Sequence, residues 1–444
     1  MGSLKSLTAN LSHKNNIERG FLAGQYELSR RLAVTEGAKV FGLPAEKGRW
    51  IFVALGLLIH VCLGSVYSWS VFRKPLEQYF HVGATESGMP YMVFLAFFAA
   101  LMPIAGRLLN RYGPRVVTLL GGVFVGLGWI LASFATSMSL LTVSYGMIAG
   151  GGVGVVYGGP IAVSTKWFPD KKGVAAGLTL AGFGLSALIT APVARAFIDS
   201  YGPLRTFGIL GIAFLVVIVI LSLPLKFPST EWTPTGWKPA ETATRVDLDT
   251  SKMLKTSSFY GLWICYIIGT LSGLMAIGIA SPVGQEIIKL DAVTAAMTIS
   301  VFAIFNGIGR PLFGWIADRF SPRHSAIIAF AMVFVASLGM LRAGEGDFIL
   351  YVTCFVGFWL AFGGWLGIAP PATATFFGFR QYTKNYGVVF TAYGVGAILG
   401  TLISGRLRDT LGSYIYSFYP TAALAIVGIV LTMVLLRPPK AAFD

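Results

Sequence analysis

The chain has 444 residues, of which 55% are apolar, 14% aromatic and only 12% charged, a balance that excludes an ordinary soluble protein of this length. Its mean hydropathy of +0.72 makes lipid the expected solvent. The net charge of +15 is spread over segments flanking apolar blocks and forms no dense basic stripe, so nucleic acid is not an expected partner.

Residues 1–49 are polar and read as a cytoplasmic tail, in which Ile17, Phe21, Leu22, Tyr26 and Leu32 give one stretch some interfacial amphipathic character. The first apolar block, from Ile51, is too long and too aromatic for a cleavable signal core. Twelve apolar blocks follow, at about 50–72, 85–106, 116–136, 140–165, 173–194, 206–225, 257–280, 292–317, 324–341, 348–376, 386–405 and 413–436. As helices rising about 1.5 Å per residue, each can cross a hydrocarbon core about 30 Å thick. The expected fold is an all-α membrane protein of twelve transmembrane helices; a barrel would need short alternating strands. Cys62, Cys265 and Cys354 fall in three different blocks and read as small core residues.

With both termini in the cytoplasm, 25 of the 34 Lys and Arg residues flank the inner side, eight the outer side, and Arg310 lies within the membrane. This bias fits a multi-pass protein of the plasma membrane, or of the inner membrane in a bacterium. An internal repeat joins GRLLNRYGPR at 106–115 to GWIADRFSPR at 314–323 at an offset of 208. The chain therefore divides into six-helix halves at 50–225 and 257–437, a linker at 226–256 and a short tail at 438–444.

Arg310 is the decisive ionisable residue, because no Asp or Glu shares its depth. An unpaired guanidinium at a helix centre costs about 2.5–3.5 kcal/mol on insertion scales, so it should face a wet cavity or a partner. Its planar fork suits a carboxylate, and Asn306, one turn earlier, could orient it or donate its own amide. Helices four and ten carry matched Gly/Pro sites at Gly158–Pro160 and Gly367–Pro371, expected to interrupt them beside a central binding site. Tyr157 and Trp365 adjoin these sites and, with Tyr67, Trp69, Phe390 and Tyr393, could enclose one small anion. His60 is the remaining candidate to carry a coupled proton, although a lone helical His more often packs. No metal-ligand cluster and no Ser/His/acid set is present, so neither an enzyme nor a cofactor is expected; the glycines of GGGVGVVYGG read as packing residues.

Two parallel six-helix repeats resemble the major facilitator superfamily. The stretches GSVYSWSVF (64–72), VYGGPIAVSTKWFPDKKGVAAGL (156–178), NGIGRPLFGWIADR (306–319) and KNYGVVFTAYGVGA (384–397) resemble the oxalate/formate antiporters and monocarboxylate transporters. That resemblance implies that Arg310 binds the substrate carboxylate, enclosed by aromatic residues of helices one, four, ten and eleven. It also implies gating loops at Asn110, Arg111, Asp318 and Arg319, with Asn110 departing from the usual Asp of the first copy. Tyr393 stands where the oxalate carriers place a Lys, and Asn306 where animal monocarboxylate transporters place an Asp. A small monocarboxylate such as lactate, pyruvate or formate is accordingly the expected substrate, moved by a functional monomer through proton symport or anion exchange. The alternatives are an oxalate or other organic-anion antiporter, an exporter of larger organic solutes, and a transport-fold sensor or scaffold.

Overall fold

The computed structural model describes residues 39–229, 232–235, 237, 247–378 and 381–439. The amphipathic stretch expected around Phe21 lies outside the described residues. Eleven helical runs are long and apolar enough to cross a membrane. One of them, Ala84–Ala132, has 49 residues and turns at Gly113, where φ is +78° and ψ 170°. That run is two helices, so the spans number twelve among the described residues. A positive φ suits glycine, and Pro114 then supplies the first position of the next helix. The second copy of the repeat makes the same turn with Ser321 and Pro322, using extended backbone at Ser321.

A short antiparallel pair, β1 (Lys39–Val40) and β2 (Leu43–Pro44), precedes the helices. In the first half these are α1 (Ala45–Phe80), α2 (84–112), α3 (114–132), α4 (Met138–Trp167), α5 (Lys172–Tyr201) and α6 (Pro203–Ser222). The second half holds α7 (Ser257–Glu286), α8 (Ala292–Arg319), α9 (Pro322–Met340), α10 (Phe348–Phe377), α11 (Tyr382–Leu411) and α12 (Tyr414–Leu435). The halves meet where α2 lies on α11, α5 on α8, and the later part of α1 on α7.

Two sequence expectations need correction. α4 and α10 run through Pro160 and through Pro370 and Pro371 without a break. The irregular backbone lies instead in α1, where Gly64–Ser68 forms a 3-10 turn, and in the earlier part of α4, where Thr142–Ala149 is π-helical. Side chains satisfy the carbonyls around the 3-10 turn: Ser65 donates to Cys62 O at 2.8 Å and Ser186 of α5 to Val61 O at 2.5 Å. Gly64 lies so close to the backbone of Phe183 that a methyl group would collide, which lets α1 and α5 touch. The second correction concerns Arg73. It falls in the first outer loop on the sequence reading, yet α1 continues to Phe80 and Arg73 is 1% exposed.

The two ends of the bundle are held differently. At the end where α1 begins, the linker binds both halves: Thr235 N–H donates to Glu46 Oε1 at 2.7 Å, and Leu248 N–H to Phe377 O at 2.9 Å. Trp232 packs on Trp167 with ring centroids 4.9 Å apart, and Asn385 Nδ2 donates to Leu248 O at 3.0 Å. Nearby, Arg49 grips Asp170 through bonds of 2.6 and 2.9 Å. Partial burial raises the Asp170 pKa, but the hydrogen bonds and charge of Arg49 outweigh it and hold the carboxyl below its ordinary 3.8.

At the far end the halves are latched directly. Glu286 of α7 pairs with Lys74 of α1 and, at 3.3 Å, with Arg408 of α11. Asp409 of α11 caps the start of α2, accepting from Ala84 N–H and Thr85 N–H at 2.8 Å each.

Candidate functional site

α8 starts at the far end, where Asp291 caps it by accepting from Val293 and Thr294 N–H at 2.9 and 3.0 Å. Its later half carries Arg310 to the seam with α5. There Arg310 Nη1 donates to Leu180 O at 3.0 Å, and the guanidinium carbon lies 5.9 Å from the Phe183 ring centre. Gly184 makes this approach feasible, since a Cβ there would meet Arg310 Nε at 3.2 Å and its guanidinium carbon at 3.4 Å.

The other two donor atoms of the group, Nε and Nη2, are buried without a hydrogen-bond partner. No carboxylate among the described residues pairs with them. Nε and Nη2 share one edge of the planar guanidinium, so the unmet donors form a single fork of the width a carboxylate accepts. The phenols of Tyr67 and Tyr157 stand close to the guanidinium without completing a bond to that fork.

Aromatic rings from both halves close around this point. Tyr67 Oη and Tyr393 Oη lie 3.1 Å apart, joining α1 to α11 across the seam. Phe390 stacks on Tyr393 at 4.9 Å and 11°, and Phe98 of α2 lies 5.0 to 5.8 Å from Tyr157, Phe183, Phe390 and Tyr393. Of the residues expected from sequence, Arg310, Tyr67, Tyr157, Phe390 and Tyr393 are brought together here.

The others have separate places. Asn306 is wholly buried against Gly363 of α10, and neither its amide nitrogen nor its oxygen has a partner, so it does not hold the guanidinium. His60 Nδ1 is 2.8 Å from Gly56 O, its Nε2 is unpartnered, and its ring meets Tyr157 edge-on at 5.3 Å. Trp69 belongs to a different cluster, stacking on Tyr145 at 4.8 Å and donating to Ser87 O at 3.2 Å. Positions two apart on a helix point to different sides, so Tyr67 and Trp69 meet different neighbours. Trp365 lies one ring beyond the box, stacked on Tyr266 at 6.0 Å and packed on Gly269. Asn110, Arg111, Asp318 and Arg319 are exposed at the linker end, and no ion pair among the described residues involves Asp318.

Sequence reasoning missed Phe98, Phe183, Tyr266 and the Leu180 carbonyl. Phe98 sits in the run FLAFFAALM, where nothing separates a core ring from a lipid-facing one. Phe183, between two glycines, offered a weak signal of close helix approach.

Comparison with known proteins agrees with this architecture. The chain is 26% identical to the oxalate:formate antiporter of Oxalobacter formigenes over 366 residues, covering 82% of this chain and 86% of that one. It is also 26% identical to monocarboxylate transporter 2 of Homo sapiens over 407 residues, covering 86% and 84%. A crystal structure of a bacterial homolog to the human lysosomal transporter Spinster, inward-facing and unoccupied, superposes with a TM-score of 0.69 at 15% identity, covering 89% of this chain and 99% of that one; it shows the fold alone. The family model of the Major Facilitator Superfamily matches residues 53–379 and 262–443. With twelve apolar helices in two repeated halves and a family match over most of its length, this multi-pass membrane protein belongs to the Major Facilitator Superfamily.

Proposed function

We propose that the protein is a secondary transporter of small monocarboxylates, working by alternating access, with the substrate carboxylate held on Arg310. The observation that carries this reading is the buried fork of Nε and Nη2, two charged donors on one edge with no acceptor. A carboxylate supplies two acceptors at matching separation and cancels the charge in the same step. The hydroxyls of Tyr67 and Tyr393 and the rings of Tyr157, Phe98 and Phe390 would enclose the apolar body of a small acid.

The oxalate:formate relative raises the alternative of a dicarboxylate. A second carboxylate would need a second unsatisfied cation. Among the described residues the buried arginines Arg73 and Arg49 are already engaged, Arg73 by Glu77 and three oxygens and Arg49 by Asp170. The electrostatics therefore favour one negative charge.

Rocking the empty carrier would move a bare cation through a narrow, low-dielectric seam, whereas the loaded site is neutral. Anion exchange should accordingly outrun net flux. If a proton accompanies the anion, His60 is its carrier on this reading, with Nε2 unpartnered beside Tyr157. The bias of cations toward one set of loops supports a plasma-membrane protein with both termini cytoplasmic.

The test is counterflow of labelled lactate, formate and oxalate in liposomes, with and without a pH gradient. Arg310→Lys keeps the charge and removes the fork, so lactate counterflow should fall by about 10- to 100-fold, the worth of one charge-assisted bond. Wild-type rates in that variant would sink the proposal.

A further inference from the structure

The Arg310 fork accounts for one end of a bound acid. Across the box, α7 contributes Tyr266, whose side chain is 0% exposed and whose hydroxyl has no hydrogen-bond partner. Its ring is clamped between Trp365, stacked at 6.0 Å and 24°, and Phe390, edge-on at 6.4 Å and 63°. Phe390 is itself a wall of the Arg310 box, 5.5 Å from Phe98 and 6.2 Å from Tyr157. The hydroxyl therefore has a fixed direction, and it lies within electrostatic reach of Arg310, Tyr67 and Tyr157.

The phenol of Tyr386, one turn before Phe390 on α11, is the polar group beside this hydroxyl, and Tyr266 Oη makes no hydrogen bond that meets ordinary distance and angle limits. Trp365 Nε1 is also unpartnered, but it is pressed against Gly269, where a single added carbon would already collide. Of these two unpartnered residues Tyr266 is the one whose ring lies against Phe390, a wall of the box. A phenol can donate and accept but carries no charge, so it fits an uncharged oxygen and not a second carboxylate.

We propose that Tyr266 is a specificity-determining residue, whose hydroxyl receives an uncharged oxygen on the substrate away from the carboxylate held by Arg310. This rests on the monocarboxylate reading above. The substrates preferred are then short acids bearing a hydroxyl or carbonyl oxygen, over plain alkanoates of the same length. A buried polar group left unmet by the wrong ligand is what produces such discrimination.

The experiment uses the full-length protein in liposomes and competes labelled lactate counterflow with matched acids, lactate against propionate and 3-hydroxybutyrate against butyrate. In the wild type each hydroxy acid should compete at about tenfold lower concentration than its partner, the worth of one hydrogen bond. In Tyr266→Phe the two members of each pair should come within about twofold, with propionate and butyrate themselves unchanged. An unaltered ratio in Tyr266→Phe, or equal weakening of all four acids, overturns the proposal, the second outcome marking a packing role. Should Tyr266→Phe not fold, the wild-type ratios still decide, because equal competition within each pair rules it out. Those results leave the monocarboxylate reading standing; that reading falls separately if no acid competes or if Arg310→Lys transports normally.

Discussion

Arg73 and Arg310 both keep guanidinium donors out of water within a membrane bundle, and their surroundings are opposite. Arg73, near the far end of α1, donates to Ser87 Oγ at 3.1 Å, to Gly278 O at 3.3 Å and to Ala84 O. It also faces Glu77 at 4.0 Å and lies 5.5 Å over the Tyr414 ring. Arg310 donates to one backbone carbonyl, and its Nε and Nη2 have no protein partner. Burial alone therefore does not mark a binding residue. The inventory of partners does: a cation whose donors are met stiffens the structure, while one left with an open edge is available to a ligand.

The largest test of this contrast exchanges each cation for a neutral residue. Arg73→Gln would strand the carbonyls of Ala84 and Gly278, while Glu77 keeps Lys74 at 3.3 Å and the Ser87 hydroxyl at 2.7 Å; a buried acceptor left unmet costs about 1–3 kcal/mol. A sharp fall in melting temperature and folded yield is expected, with unchanged substrate affinity in whatever folds. Arg310→Gln should do the reverse, abolishing counterflow and leaving the melting temperature equal or higher. If both variants behave alike in a paired thermal-shift and counterflow assay, the distinction is lost.

A smaller effect is expected at the latch. Glu286→Gln removes the charge that Lys74 and Arg408 share, and partly buried pairs of this kind are worth about 1–2 kcal/mol. The population open at the far end should rise by about 5- to 30-fold, read as a longer spin-label distance between the ends of α1 and α7. Asp409→Asn weakens the cap on α2 by about 1 kcal/mol and should move the same distance in the same direction by less.

The smallest concerns the opposite end. Asp170 is held below its ordinary 3.8, since Arg49 more than offsets the opposing effect of partial burial. Its contribution is therefore complete above 3.8 and is lost as pH falls through the lower folded value. Thermal stability should drop in that window for the wild type, and Asp170→Asn should flatten the drop.

The helices were legible in the sequence because lipid demands unbroken apolar runs, and Gly113 and Ser321 could be located from the repeat that contains them. Arg310 stood out for the same reason, a charge where hydrocarbon was expected. Arg73 did not, because Lys74 and Glu77 beside it resemble loop residues while α1 carries on past them to Phe80. The course of α4 and α10 was misread, since neighbouring helices can support a proline that would break an isolated one. Grouping Tyr67 with Trp69 overlooked their spacing: positions two apart on a helix point to different sides, and the two rings join different clusters.

The anchors of the linker set how far it can restrain the halves. Thr235 is fastened to the first half and Leu248 to the second. Both fastenings lie at the end where α1 begins, so the linker clasps that end alone, and the opposite end depends on the charges gathered around Glu286.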